Sequence, residues 1–191
     1  MSDRKETVFD LLIDHNIDIR GRVLYLNGEI EEESANKFIK LLKYLDKTDG
    51  DIEVVLNSGG GCVASGFAIH DAIKGCKNPI TVLVMGECMS IATIILQAAD
   101  NRVSTKYARF MIHRMRMSDA EGDLTNLKRM IEDCLEVDKV FANIYLERIQ
   151  EVNPDYKMSQ VQKIMDFDTY FSADKALELG LIDEIEGSED S

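Results

Sequence analysis

Three times between residues 22 and 99, a short apolar run with strand character breaks at a polar or glycine-rich segment and gives way to helical spacing. Arg22 to Leu26 precedes a helix predicted over 31–46, whose Ala35, Phe38, Ile39, Leu42 and Leu45 share one face. Ile52 to Leu56 enters the run Ser58, Gly59, Gly60, Gly61, and a helix is predicted from Val63 to Ile73. Ile80 to Met85 enters Gly86, Glu87, Cys88, Met89 and Ser90, and residues 90–99 are apolar enough to predict a buried helix. Strands that each leave through a helix pair in parallel. The pattern therefore predicts an α/β fold with a largely parallel sheet of βα repeats. Reactive groups in such sheets collect where strands end, and Gly61, Ser90 and His113 all follow predicted strands.

The second half is organised differently. Residues 102–104 and 109–113 read as short strands. Residues 121–150 carry one long helical pattern, with Leu124, Leu127, Met130, Ile131, Cys134, Val137, Phe141 and Ile144 on the apolar face. Lys128, Arg129, Glu132, Asp133, Glu136 and Lys139 are on the other face. A helix of this length exceeds what a small domain needs, so it either packs on the sheet or projects into a partner subunit. A short helix near 159–165, a strand at 169–171 and a helix at 173–179 ending at Gly180 close the pattern. With no repeat or linker, the 191 residues read as a single domain. It has an N-terminal segment of about 1–20, a long-helix segment of about 115–150, which the resemblance given below makes the handle, and an acidic tail of about 184–191.

The formal net charge of -13 argues against nucleic-acid binding, since phosphates would be repelled. Cys62, Cys76, Cys88 and Cys134 have neither metal nor redox spacing, and reduced thiols are expected. No apolar leader opens the chain, and no apolar run reaches membrane-spanning length. A soluble, cytoplasmic protein with no membrane association is expected.

Ser90 at a strand-to-helix elbow places a hydroxyl beside free backbone N–H groups, where an oxyanion is stabilised. Taken alone, such a serine is more often a helix N-cap. His113 and Asp168 offer a base and an orienting carboxylate. His70 and His15 read better as structural or solvated histidines. Gly59 to Ala64 also fits the G-x-G-x-x-A dinucleotide pattern, with Glu87 as a late acidic partner, but the ending of a phosphate-binding P-loop is missing. Cys62 and Cys88 near the elbow are alternative nucleophiles, although a small buried cysteine is the ordinary state.

Taken in order, these segments resemble the ClpP serine peptidases, the proteolytic subunits of ATP-dependent Clp proteases. Asn57 to Gly61 resembles their N-S-P-G-G loop, Gly86 to Ala92 the nucleophile segment, and Met111 to His113 the histidine motif. Asp168 to Ala173 with Ala176 to Asp183 resembles the closing segment. The similarity covers about residues 22–184 and implies a ClpP/crotonase-like fold, with 121–150 as the protruding handle helix. It implies a serine endopeptidase acting on unfolded polypeptides or peptides through an acyl-enzyme. The triad would be Ser90, His113 and Asp168, with the Gly61 and Ile91 N–H groups as the oxyanion hole. It further implies a homo-oligomer of two stacked heptamers and a Clp-family AAA+ unfoldase or a paralogous ClpP subunit as partner. No metal or cofactor is implied in this subunit, and ATP would be used only by the unfoldase. The alternatives are an inactive ClpP-like structural subunit and a crotonase-like acyl-CoA enzyme. Gly59 replaces the family's proline, and Arg114 and Met115 replace its common Q-P. Val55 and Gly75 stand where many members have aromatics in the unfoldase-docking pocket, which predicts weak docking of a generic unfoldase on a homomeric ring.

Overall fold

The computed structural model describes residues 16–117 and 122–187. Most of the expected N-terminal segment, residues 118–121 of the handle and residues 188–191 of the tail lie outside the described residues. The order is β1 (Ile17–Asp18), β2 (Val23–Ile30), α1 (Glu32–Leu45), β3 (Ile52–Gly61), α2 (Val63–Lys74), β4 (Ile80–Met89), α3 (Ile91–Leu96), β5 (Asn101–Ser104) and β6 (Arg109–Ile112). Then follow α4 (Leu124–Val152), α5 (Met158–Met165), β7 (Thr169–Ser172), α6 (Ala173–Glu178) and β8 (Glu184–Ile185).

The sheet runs β1-β2-β3-β4-β5-β8, and β2, β3, β4, β5 and β8 are parallel. One face of the central strands is fully buried, with Val54, Leu56, Val82 and Val84 all at 0% exposure. The opposite face is only partly covered, since Glu53, Thr81 and Leu83 are half-buried and Met85 is exposed. β4 has two successive neighbours. Its first half pairs with β5, from Thr81↔Asn101 to Val84↔Ser104, and its second half with β6, from Glu87↔Arg109 to Met89↔Met111. The handover falls at Gly86, whose φ of +86 breaks the regular ladder. β7 returns antiparallel on β6, with Ile112 opposite Thr169.

Several boundaries differ from the sequence expectation. β3 and β4 run on through Gly61 and Met89, because neighbouring strands pair with the polar and glycine residues that read as breaks. Residues 184 and 185, expected in a solvated tail, form β8 on β5, with Ile185 buried and Glu184 exposed. The long helix is divided into two unlike halves, and the buried one packs against the other helices of this chain. Phe141, Ala142, Tyr145 and Ile149 are buried in its C-terminal half, and the Phe141 and Phe67 rings lie 5.5 Å apart. Leu124, Ile131 and Leu135 on its N-terminal half are exposed. Asp123 caps this helix by accepting from the Thr125 and Asn126 N–H groups at 2.9 Å. Among the described residues no helix is long and apolar enough to cross a membrane.

Candidate active site

Ser90 joins β4 to α3 with φ 54 and ψ -131, a combination that costs a non-glycine residue about 1–3 kcal/mol. Its surroundings over-determine it. The Ser90 N–H donates to the Met111 carbonyl at 2.8 Å, and its own carbonyl accepts from the Thr93 N–H at 2.9 Å. The Ser90 hydroxyl makes no cap bond to the helix, so the ordinary N-cap role is not the one adopted. α3 is wholly buried and closely backed by α2, where a Cβ added at Gly66 would come within 2.1 Å of Ile91 Cγ1. Gly60 presses on the serine itself, since a Cβ there would lie 2.7 Å from Ser90 Cβ.

His113 follows β6, and the Met89↔Met111 pairing brings it to the same end of the sheet as Ser90. Its Nε2 lies 2.9 Å from Ser90 Oγ. Its Nδ1 is hydrogen-bonded to the Arg114 carbonyl. A carbonyl only accepts, so the proton is on Nδ1, and Nε2 is the free base that accepts from the serine. Asp168 sits next to β7, one residue before the Ile112↔Thr169 pair, and so lies across the ladder from His113. Its carboxylate is engaged by the Arg116 guanidinium rather than by the imidazole. The hydrogen bond from Arg116, helped by its positive charge, holds Asp168 below the usual carboxylate range. The structure thus joins Ser90 to His113 and brings Asp168 alongside on a different partner.

Gly61 ends β3 at φ +146, where an added Cβ would meet the Ile30 carbonyl oxygen at 2.4 Å. Ile91 is the first residue of α3, so its N–H has no partner within the helix. Beside them a cleft of about 380 Å³ is lined by Gly28, Glu29, Gly59, Gly60, Gly61 and Glu87. Two carboxylates on a glycine floor repel a pyrophosphate, which disfavours the dinucleotide alternative. The other candidates lie apart from this pair. His70 Nδ1 is 3.0 Å from Asp71 on the exposed side of α2. Burial pushes the Cys88 thiol far up, which makes it inert. Cys62 is exposed at the start of α2, where hydrogen bonds from Ser65 and Ala64 hold its thiol below the ordinary value. Val55 is buried and Gly75 ends α2.

Two features escaped the sequence reading. Arg116 carried no motif and fell at the very start of the segment expected to be the handle. Thr93, buried within an otherwise almost wholly apolar helix, was the visible anomaly, and its hydroxyl lies 2.6 Å from the Tyr145 hydroxyl.

The family model for Clp protease matches residues 9–189. The chain is 33% identical over 178 residues to an ATP-dependent Clp protease proteolytic subunit 1 of Protochlamydia amoebophila (strain UWE25), covering 91% of this chain and 84% of that one. It is 29% identical over 170 residues to an ATP-dependent Clp protease proteolytic subunit of Chlorella vulgaris, covering 87% and 82%.

Proposed function

The chain belongs to the Clp protease family and is a serine endopeptidase of that type, and on this premise we propose that Ser90, His113 and Asp168 are its catalytic triad. Ser90 Oγ attacks the peptide carbonyl carbon while His113 Nε2 takes the hydroxyl proton. The oxyanion is held by the Gly61 and Ile91 N–H groups, each worth about 2.7–4 kcal/mol in the transition state. His113 then protonates the departing amine, and water hydrolyses the acyl-enzyme with His113 again as base. In the working form Asp168 leaves Arg116 and accepts from His113 Nδ1, in place of the Arg114 carbonyl. The observation that carries this mechanism is the 2.9 Å approach of Ser90 Oγ to His113 Nε2, on a ring whose Nδ1 faces the Arg114 carbonyl.

The substrates are peptides or unfolded polypeptides, cleaved inside a cytoplasmic chamber of two stacked heptamers. The subunit itself needs no metal or cofactor and binds neither nucleic acid nor membrane. The names of both relatives, proteolytic subunits of ATP-dependent proteases, support a partner AAA+ unfoldase that consumes the ATP, or a paralogous ClpP subunit that recruits it. The test is fluorophosphonate labelling followed by mass spectrometry. The adduct is expected on Ser90, and Ser90→Ala is expected to lose labelling and at least about a thousandfold in fluorogenic-peptide cleavage. Labelling of another serine, or cleavage by Ser90→Ala at the parent rate, overturns the assignment.

A further inference from the structure

Behind the nucleophile, two buried hydroxyls lie between surfaces that are otherwise mostly apolar. Thr93 on α3 is 3% exposed, and Tyr145 on the inner face of α4 is 1% exposed. Thr93 Oγ1 lies 2.6 Å from the Ser90 carbonyl oxygen and 2.6 Å from the Tyr145 hydroxyl. Because a carbonyl only accepts, the Thr93 proton is committed to Ser90, and Tyr145 must donate to Thr93. The direction of the chain is therefore fixed: Tyr145 O–H to Thr93 Oγ1, then Thr93 O–H to the Ser90 carbonyl. Burial raises the Tyr145 phenol well above its ordinary value, so its donor proton is retained.

The Ser90 carbonyl and the Ile91 N–H belong to one planar trans peptide and point in opposite directions. Fixing the carbonyl on Thr93 therefore aims the N–H at the other side, where an oxyanion forms. Resting on the assignment of Ser90 as nucleophile, we infer that Thr93 and Tyr145 are positioning residues that lock the Ser90–Ile91 peptide and so orient its oxyanion donor. An interaction of this kind acts in the transition state more than in the ground state, and its loss lowers kcat without raising KM.

The experiment compares Thr93→Val, Thr93→Ser, Tyr145→Phe and the Thr93→Val/Tyr145→Phe double variant on a fluorogenic peptide. Thr93→Val is expected to lose about tenfold in kcat with KM within about twofold, and Thr93→Ser to restore it. Tyr145→Phe, which removes one atom and keeps the ring, is expected to lose about threefold. The double variant is expected to be no worse than Thr93→Val alone, because the two hydroxyls act as one unit. An unchanged kcat in Thr93→Val, a loss carried by KM, or a failure of Thr93→Ser to restore the rate overturns the inference. Amide exchange over residues 88–97 gives a readout independent of activity. It rises in Thr93→Val and not in Thr93→Ser if the chain locks this segment, and an equal rate in all variants overturns it. Absence of a fluorophosphonate adduct on Ser90 in the parent protein would sink the nucleophile assignment instead, with the exchange comparison still deciding the chain.

Discussion

Two arginines after the histidine determine what surrounds it. Arg114 donates from Nε to Asp166 at 3.0 Å and reaches Asp138 at 3.4 Å, and Asp138 also accepts from the Met115 N–H at 2.7 Å. Residues 114 and 115 are thereby fastened to α4, a role that the sequence difference from the family did not suggest. Among the described residues the Arg116 side chain pairs with Asp168 alone, and both side chains are partly open to water, at 64% and 39%. Exposed pairs of this kind are weak and screened by salt, so His113 can win Asp168 back at little cost. Arg116→Leu is expected to raise the peptidase kcat by roughly two- to fivefold at low ionic strength, with the gain shrinking as salt is added. A salt series of initial rates checks this, and a fall in rate in Arg116→Leu would mean that the arginine helps catalysis rather than competing with it.

At the scale of elements, α4 does two jobs with two halves. The buried C-terminal half sets Tyr145 and Phe141 into the core behind α3. The other half leaves Ile131 and Leu135 about half exposed and Leu124 86% exposed, an apolar stripe left uncovered among the described residues. In the double ring proposed above, this stripe is where the rings would meet. Ile131→Asp is expected to leave the protomer folded and to separate double rings into single ones with weakened activity. A charge buried unpaired in an interface costs about 3–5 kcal/mol. Native mass spectrometry reads the outcome directly, and an unchanged double-ring mass would show that the stripe is not the ring–ring contact.

The whole molecule is closed by Arg102, which is 1% exposed yet fully engaged. Its guanidinium donates to Gln97 Oε1 at 2.9 Å, to the Gly180 carbonyl at 2.9 Å, to Glu151 at 3.3 Å and to both Asp183 oxygens. One side chain thus ties the end of α3, the end of α4 and the closing segment to β5. Burial of Asp183 works to raise its pKa, but the hydrogen bonds and charge of Arg102 outweigh it and hold the carboxyl below the ordinary range. A carboxylate lowered in the folded state contributes stability that is present above its unfolded value of about 4 and is lost as pH falls through the folded value. Asp183→Asn is therefore expected to cost about 2–3 kcal/mol at neutral pH, less than a fully buried pair because Asp183 is 43% exposed. The gap from the parent should narrow below about pH 4, where the parent loses the same contribution. Thermal melts across pH measure it, and a gap independent of pH would remove Asp183 from the acid response.

The alternation of apolar runs and breaks determined the α/β class, the position of each main helix and strand, and the gathering of Ser90 and His113 at one sheet end. Period and strand order are properties of the sequence itself. It did not determine that the glycine and serine breaks belong to strands, because that depends on neighbours that pair with them, nor that Glu184 and Ile185 add a strand to β5. Only the tertiary structure decided that Asp168 rests on Arg116, that Thr93 bonds Tyr145 from 52 positions away, and that Arg102 is shared among three segments. Patterning selects which face of an element is buried. The choice between several polar partners within reach turns on distances of about an ångström, set by how the packed elements finally seat against one another.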